Sequence, residues 1–251
     1  CRSGRGGVST LLLRLSGPMQ SWGTQSRFSE RDTGLEPSKS GVIGLLCAAL
    51  GRSRSEPVAD LVSLRMGVRV EREGVMQRDY HTTGGTHRQN DPYGVAKPDG
   101  GILSNAVLSN RYYLADAEFL VGLEGDVALL QELDRALKRP RWQLCLGRKA
   151  FPPGAPVRLP DAPPWGPGLR DGSLREVLST YPWLGHLGER WRGRPPEQLR
   201  LILDAGIQSG YEVRQDVPVS FAGRSFSTRY VLTEWVDPPP VEGDETCTSH
   251  S

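Results

Sequence analysis

Apolar residues along the chain recur with two different periods, and the elements follow from which period holds where. The run VSTLLLRLS (8–16) is apolar at nearly every position and predicts a buried strand. PSKSGVIGLLCAALG (37–51) predicts a helix that starts at a serine cap, Ser38 or Ser40, and ends with Gly51 just past its last turn. PVADLVSL (57–64) adds another turn or two of helix. In RMGVRVEREGVMQRDYH (65–81), Met66, Val68 and Val70 alternate with polar residues up to Glu73-Gly74. This predicts a strand, a turn and a hairpin partner. YYLADAEFLVGL (112–123) resumes the alternation, with Tyr113, Ala115, Ala117, Phe119, Val121 and Leu123 on one face. DVALLQELDRALKRP (126–140) changes to the helical period: Val127, Leu130, Leu133 and Leu137 share a stripe, and Asp126 suits the N-terminus. RWQLCLG (141–147) reads as one more strand.

Strand, helix, strand, strand, helix, strand is the split βαβ order, so the expected fold class is α+β with a ferredoxin-like core, the layout RNA-recognition domains use. Residues 8–150 form this domain. Within it, 82–110 is rich in Gly, Asn, Asp and Pro and lacks periodicity, as expected of a functional insertion. A proline-rich segment (152–168) leads to a β-rich region ending near 236, with a helix near 173–179, a strand at 199–204 and a hairpin-like pair within 211–236. Residues 237–251 are proline-rich and acidic, and read as a disordered tail.

Composition narrows this picture only slightly. The 251 residues carry a net charge of +2, which singles out no partner, but only four of the 31 basic residues are lysine. Arginine supplies planar, two-pronged donors suited to phosphate, although a GC-rich coding sequence accounts for the bias equally well. Charge is also segregated: Asp116–Asp134 holds six acidic residues and no basic one, and Lys138–Arg158 six basic residues and no acidic one, with Trp142 and Phe151 among them. Such a stretch suits either an RNA-facing surface or a solvated one. Cys1, Cys47, Cys145 and Cys247 are widely spaced, without zinc spacing, as expected of free thiols in a reducing cytoplasm; no metal or cofactor is implied. The longest apolar stretch, Val42 to Leu50, is too short to cross a bilayer and too far along the chain for a signal peptide.

SKS (38–40) resembles a nucleotide-binding P-loop only superficially. Ser38 stands where the glycine before the lysine belongs, and no strand directly precedes it. The helix N-terminus still offers free amides beside Lys39, where a phosphate could sit; a solvated Lys39 on an ordinary core helix is the alternative. His81 with Tyr80 or Lys97 could run metal-independent RNA cleavage, and His87 lies close by. There is no Ser-His-Asp order, HExxH or carboxylate cluster to strengthen an enzymatic reading.

Five ordered motifs together resemble one family. LLLRLSGPMQSWG (11–23), PSKSGVIGLLCAALG (37–51), RDYHTTGG (78–85), LSNRYYLADAEFLVGL (108–123) and LGRKAFPPG (146–154) resemble the e-type Cas-five family of the RAMP superfamily, subunits of the type I-E CRISPR complex Cascade. The resemblance covers about 8–236. It implies a non-catalytic clamp on the 5′ handle of the crRNA, with 82–110 as a thumb toward a neighbouring backbone CasC subunit and the large subunit CasA docking nearby. Target DNA would be met through the complex. Implied RNA contacts are Gly17, Pro18, Gln20, Trp22 and Arg27 after the first strand, and Ser38, Lys39 and Ser40 at the helix tip. His81, Thr82, Thr83 and Arg111 would lie at the thumb base, and Arg148, Lys149 and Phe151 in the GRKAF turn. Trp22 and Phe151 are stacking candidates, with core packing as the alternative. A related type I-C protein processes RNA with Tyr, Lys and His, so Tyr80, His81 and Lys97 remain the catalytic alternative.

Overall fold

The computed structural model describes residues 8–23, 29–85, 95–97, 99–103, 105–187 and 195–239. The chain begins with β1 (Ser9–Ser16), β2 (Met19–Gln20), β3 (Glu30–Arg31) and the helices α1 (Lys39–Leu50) and α2 (Ala59–Val62). β4 (Arg65–Arg72), β5 (Val75–Thr83), the short pair β6 (Val95–Ala96) and β7 (Ile102–Leu103), β8 (Val107–Ala115) and β9 (Glu118–Gly125) follow, then α3 (Val127–Lys138). The remainder comprises β10 (Leu169–Asp171), α4 (Leu174–Thr180), α5 (Leu184–Leu187), β11 (Leu199–Ala205), β12 (Glu212–Ser220) and β13 (Ser225–Val236).

Seven strands form one sheet in the order β10-β1-β9-β4-β11-β13-β12, every neighbouring pair antiparallel. The C-terminal strands therefore continue the sheet that β1 and β4 begin. Leu11, Leu13 and Leu15 join the core shared with α1 and α3, whereas Leu12 joins Leu120, Leu201 and Leu203 beneath α4. Both faces of β1 are thus covered, which explains its unbroken apolar run. α1 obeys its sequence signals. Ser38 is the N-cap and accepts the Gly41 amide, and Gly51 takes the left-handed conformation at φ 77° that ends the helix. α3 is capped by Asp126 and buries Leu130, Leu133 and Leu137, while Val127 stays exposed.

Three sequence expectations are corrected. β5 is not the hairpin partner of β4, because both edges of β4 are already taken by β9 and β11. The Glu73-Gly74 turn instead carries the chain into a second, smaller sheet, where β5 pairs with β8 over nine residues. Second, 112–123 is not one strand. Asp116 adopts φ 54°, its amide bonds to the Pro18 carbonyl, and the chain crosses there from the small sheet to the large one. Third, 141–147 is not a strand. The amides of Arg141 and Trp142 cap the α1 carbonyls of Ala49 and Ala48, and Leu146 bonds to Phe151 within its own turn. The strand beside β1 is β10 instead. No helix among the described residues is long and apolar enough to cross a membrane.

Candidate nucleic-acid interface

Two of the predicted segments meet in space. The segment after β1 and the 146–154 turn zip together, with Ser21 N–H donating to Leu146 O (3.1 Å) and Gly154 N–H to Ser16 O (2.8 Å). Gly147, at φ 87°, lies so close that a Cβ there would fall 1.7 Å from the Ser21 carbonyl oxygen. Gly147→Ala is therefore expected to push this turn off the Ser21 segment and cost about 1–3 kcal/mol. Urea unfolding checks this, and an unchanged midpoint would show that the close approach carries no strain.

The junction forms one wall of a cleft of about 280 Å³ lined by Ser21, Trp22, Gly23, Arg31, Asp32, Ser38, Ser40, Gly41, Gly147, Arg148, Phe221 and Phe226. The start of α1 forms its floor, where the Ser38 and Ser40 hydroxyls lie 3.4 Å apart. Phe221 and Phe226 come from the β12–β13 hairpin, so the cleft joins parts of the chain about 200 residues apart in sequence.

Lys39 does not present its charge here. Its side chain is buried, with Nζ 3.0 Å from Asp204, and its backbone amide donates to Asp216 Oδ2 at 2.8 Å. Arg229 completes the group, donating to Asp204 and to both Asp216 oxygens at 2.7 and 2.9 Å. Burial pushes the Asp216 carboxyl up, but the Arg229 hydrogen bonds and charge and the Lys39 amide outweigh it and hold its pKa below the ordinary value. A carboxylate from the chain itself thus takes the helix-end position at which a phosphate was expected.

Positive charge gathers beside the cleft on three arginines instead. Arg31 and Arg111 are register partners across the parallel pair β3–β8. Arg148 donates to the Arg31 carbonyl at 3.0 Å. Burial, then the charges of Arg111 and Arg31, press the Arg148 pKa below its usual value, with Asp32 and Asp79 opposing in part. Among the described residues none of the three guanidiniums forms an ion pair; Arg111 Nε donates to Ser109 Oγ. Like charges gathered this closely, with Asp32 and Asp79 offsetting them only in part, describe an anion site.

The other predicted contacts divide between structure and surface. Gln20 is fully buried and donates to the Leu15 and Ala117 carbonyls, tying the segment after β1 to β9. Trp22 packs on the first turn of α1, and Phe151 on Tyr113 with ring centroids 5.9 Å apart; both belong to the core cluster and neither is an open stacking surface. Gly17 packs against Gly154, while Pro18 and Lys149 are exposed. His81, Thr82 and Thr83 lie on β5 opposite Ser109, Leu108 and Val107. Tyr80 and His81, being adjacent on a strand, face opposite sides of it, and His81 Nδ1 lies 3.4 Å from Asp79. Lys97 sits in the turn between β6 and β7, and Arg27 lies outside the described residues. Sequence reasoning missed Arg31, Phe221 and Phe226. Two phenylalanines within the polar turn SFAGRSF were a usable signal, because apolar rings in an exposed turn have no local packing to explain them.

The family model described as CRISPR-associated protein (Cas_Cas5) matches residues 10–232. The chain belongs to this CRISPR-associated Cas5 family, as the five motifs indicated. It is 34% identical over 169 residues, 60% of this chain and 70% of the relative, to the CRISPR system Cascade subunit CasD of Escherichia coli (strain K12). Among solved structures, one described as a Cas protein superposes with TM-score 0.70 at 44% identity, covering 92% of this chain and 98% of that one. A chain of a CRISPR RNA-guided surveillance complex superposes with TM-score 0.74 at 33% identity, over 92% and 91%.

Proposed function

We propose that the chain is the type I-E Cascade subunit that holds the repeat-derived 5′ handle of the crRNA, without cutting it. The likeness to CasD and to the surveillance-complex chain supports the assembly. The clustered Arg31, Arg111 and Arg148 beside the cleft carry the RNA reading, because single-stranded RNA is held through its backbone and its splayed bases. The handle backbone runs along these arginines, and the Ser38 and Ser40 hydroxyls at the floor face the nucleotide held there. In this reading β1, α1, β4, β9, α3 and β10 are the ferredoxin-like core, with strands in the order β10-β1-β9-β4. The β5–β8 pair and the 82–110 insertion are the thumb directed at CasC, and CasA docks nearby in the cytoplasm.

Titration of labelled repeat RNA in EDTA tests this. The chain binds the RNA and leaves it intact; a single handle-length product would make it a nuclease. Arg148→Ala weakens binding and lowers the slope of log K against log salt by about 0.7, the value for one lost single-strand phosphate contact. An unchanged slope removes Arg148 from the interface.

A further inference from the structure

We propose that Phe226 is the stacking platform for one unpaired nucleobase, seated between the β12–β13 turn and the start of α1. This rests on the handle reading above and specifies how its cleft is filled. Phe226 opens β13 opposite Pro218 and is 37% exposed. Phe221, across the same turn, is half-buried and points at Gly44 of α1, so its ring packs the turn against the helix, while Phe226 is the more exposed ring of the lining. At about 280 Å³ the cleft falls just below the size of sites for drug-sized ligands, which suits a single ring system. The chemistry of its walls sorts the candidates. Ser21 donates its hydroxyl to the Tyr112 carbonyl and Ser38 accepts the Gly41 amide, and the lone pairs left on these oxygens and on Ser40 suit the donor edge of a base. Arg31 and Arg148 sit on the same lining and suit the flanking phosphate. A purely apolar occupant would bring no anion to the two arginines, whereas a nucleotide offers a ring to Phe226 and a phosphate to Arg31 and Arg148 together. Stacking is sequence-tolerant, because every base has a π-face, so Phe226 adds affinity at one handle position and the hydroxyls add selectivity there.

The test uses the full chain and repeat-derived RNA in which a single abasic site is moved along the handle. With intact RNA, Phe226→Ala is expected to weaken binding roughly 5- to 150-fold, the range for removing one aromatic stacking partner. Phe226→Leu, which keeps the apolar bulk but not the flat ring, behaves like the alanine variant, and Phe226→Tyr stays near wild type. One abasic position weakens the wild-type chain by a similar factor, and at that position Phe226→Ala adds no further loss. Wild-type affinity in Phe226→Ala or Phe226→Leu overturns the proposal while leaving the handle reading standing, and so does a Phe226→Ala loss that adds in full to the abasic loss at every position. Failure of the wild-type chain to bind any of these RNAs overturns the handle reading itself.

Discussion

Arg69→Met is expected to lower the stability of the chain by about 3–5 kcal/mol, the range for breaking a buried ion pair from one side. Arg69 lies inside the sheet with no exposure, and its Nε donates to Glu71 at 2.5 Å. Its Nη1 donates to the carbonyls of Leu178 (2.7 Å) and Tyr181 (2.5 Å), and Nη2 to Pro182 (2.9 Å). Glu71 in turn accepts the Leu184 amide at 2.9 Å. One guanidinium thus joins β4 to the end of α4 and the start of α5, and its loss strands three carbonyls and a buried acid. Burial raises the Glu71 pKa, and Arg69 restrains that rise. Without Arg69 the folded chain prefers protonated Glu71 more strongly than the unfolded chain does. The loss therefore deepens as pH rises through the folded wild-type pKa of Glu71, which lies above the ordinary carboxylate value, and shrinks below it. Urea midpoints at pH 4 and pH 7 report both effects. The double variant Arg69→Met with Glu71→Leu should recover much of the loss, because it removes the orphaned charge. A deficit under about 1 kcal/mol would mean that water reaches the site and the staple is dispensable.

Asp216→Asn is expected to cost about 2–4 kcal/mol at neutral pH, toward the lower side for a buried pair because Asp204 still faces Lys39 and Arg229. The folded pKa of Asp216 is lowered, so its stabilisation is present above the unfolded value of about 3.9 and is lost as pH falls through the folded one. Wild type and variant should converge in acid; a constant gap down to pH 2 would show that shape, not charge, sets the cost. The same network revises what Lys39 does. Lys39→Ala should lower stability while leaving the salt dependence of RNA binding unchanged, because the ammonium already faces Asp204. A slope reduced by about 0.7 would return Lys39 to the RNA.

Neutralisation of this kind separates what was legible from what was not. The six basic residues of 138–158 look like one basic face in the sequence. Folded, Arg158 pairs with Asp134 and Asp161, and Lys138 with Asp161, so part of that face is cancelled. Arg148 keeps its charge and is joined by Arg31 and Arg111 from distant strands. Trp22 and Phe151 carried the right chemistry for stacking, but their burial depends on α1 and β8, which no local pattern reports. The rings at the cleft come from the C-terminal hairpin, which the sequence places as a hairpin and no more.

By itself, the sequence determined α1, α3 and α4, a serine cap at Ser38 or Ser40, the ends at Gly51 and Asp126, the apolar stripes, the β12–β13 hairpin and, through five motifs, the family. Each depends on the order of neighbouring residues. Only the tertiary structure decided that β5 pairs with β8, that the chain changes sheets at Asp116, and that Asp216 takes the helix end where the sequence allowed a phosphate. Strand pairing and charge compensation join groups far apart along the chain. A backbone edge or an ionised side chain is left available only when no distant partner reaches it first.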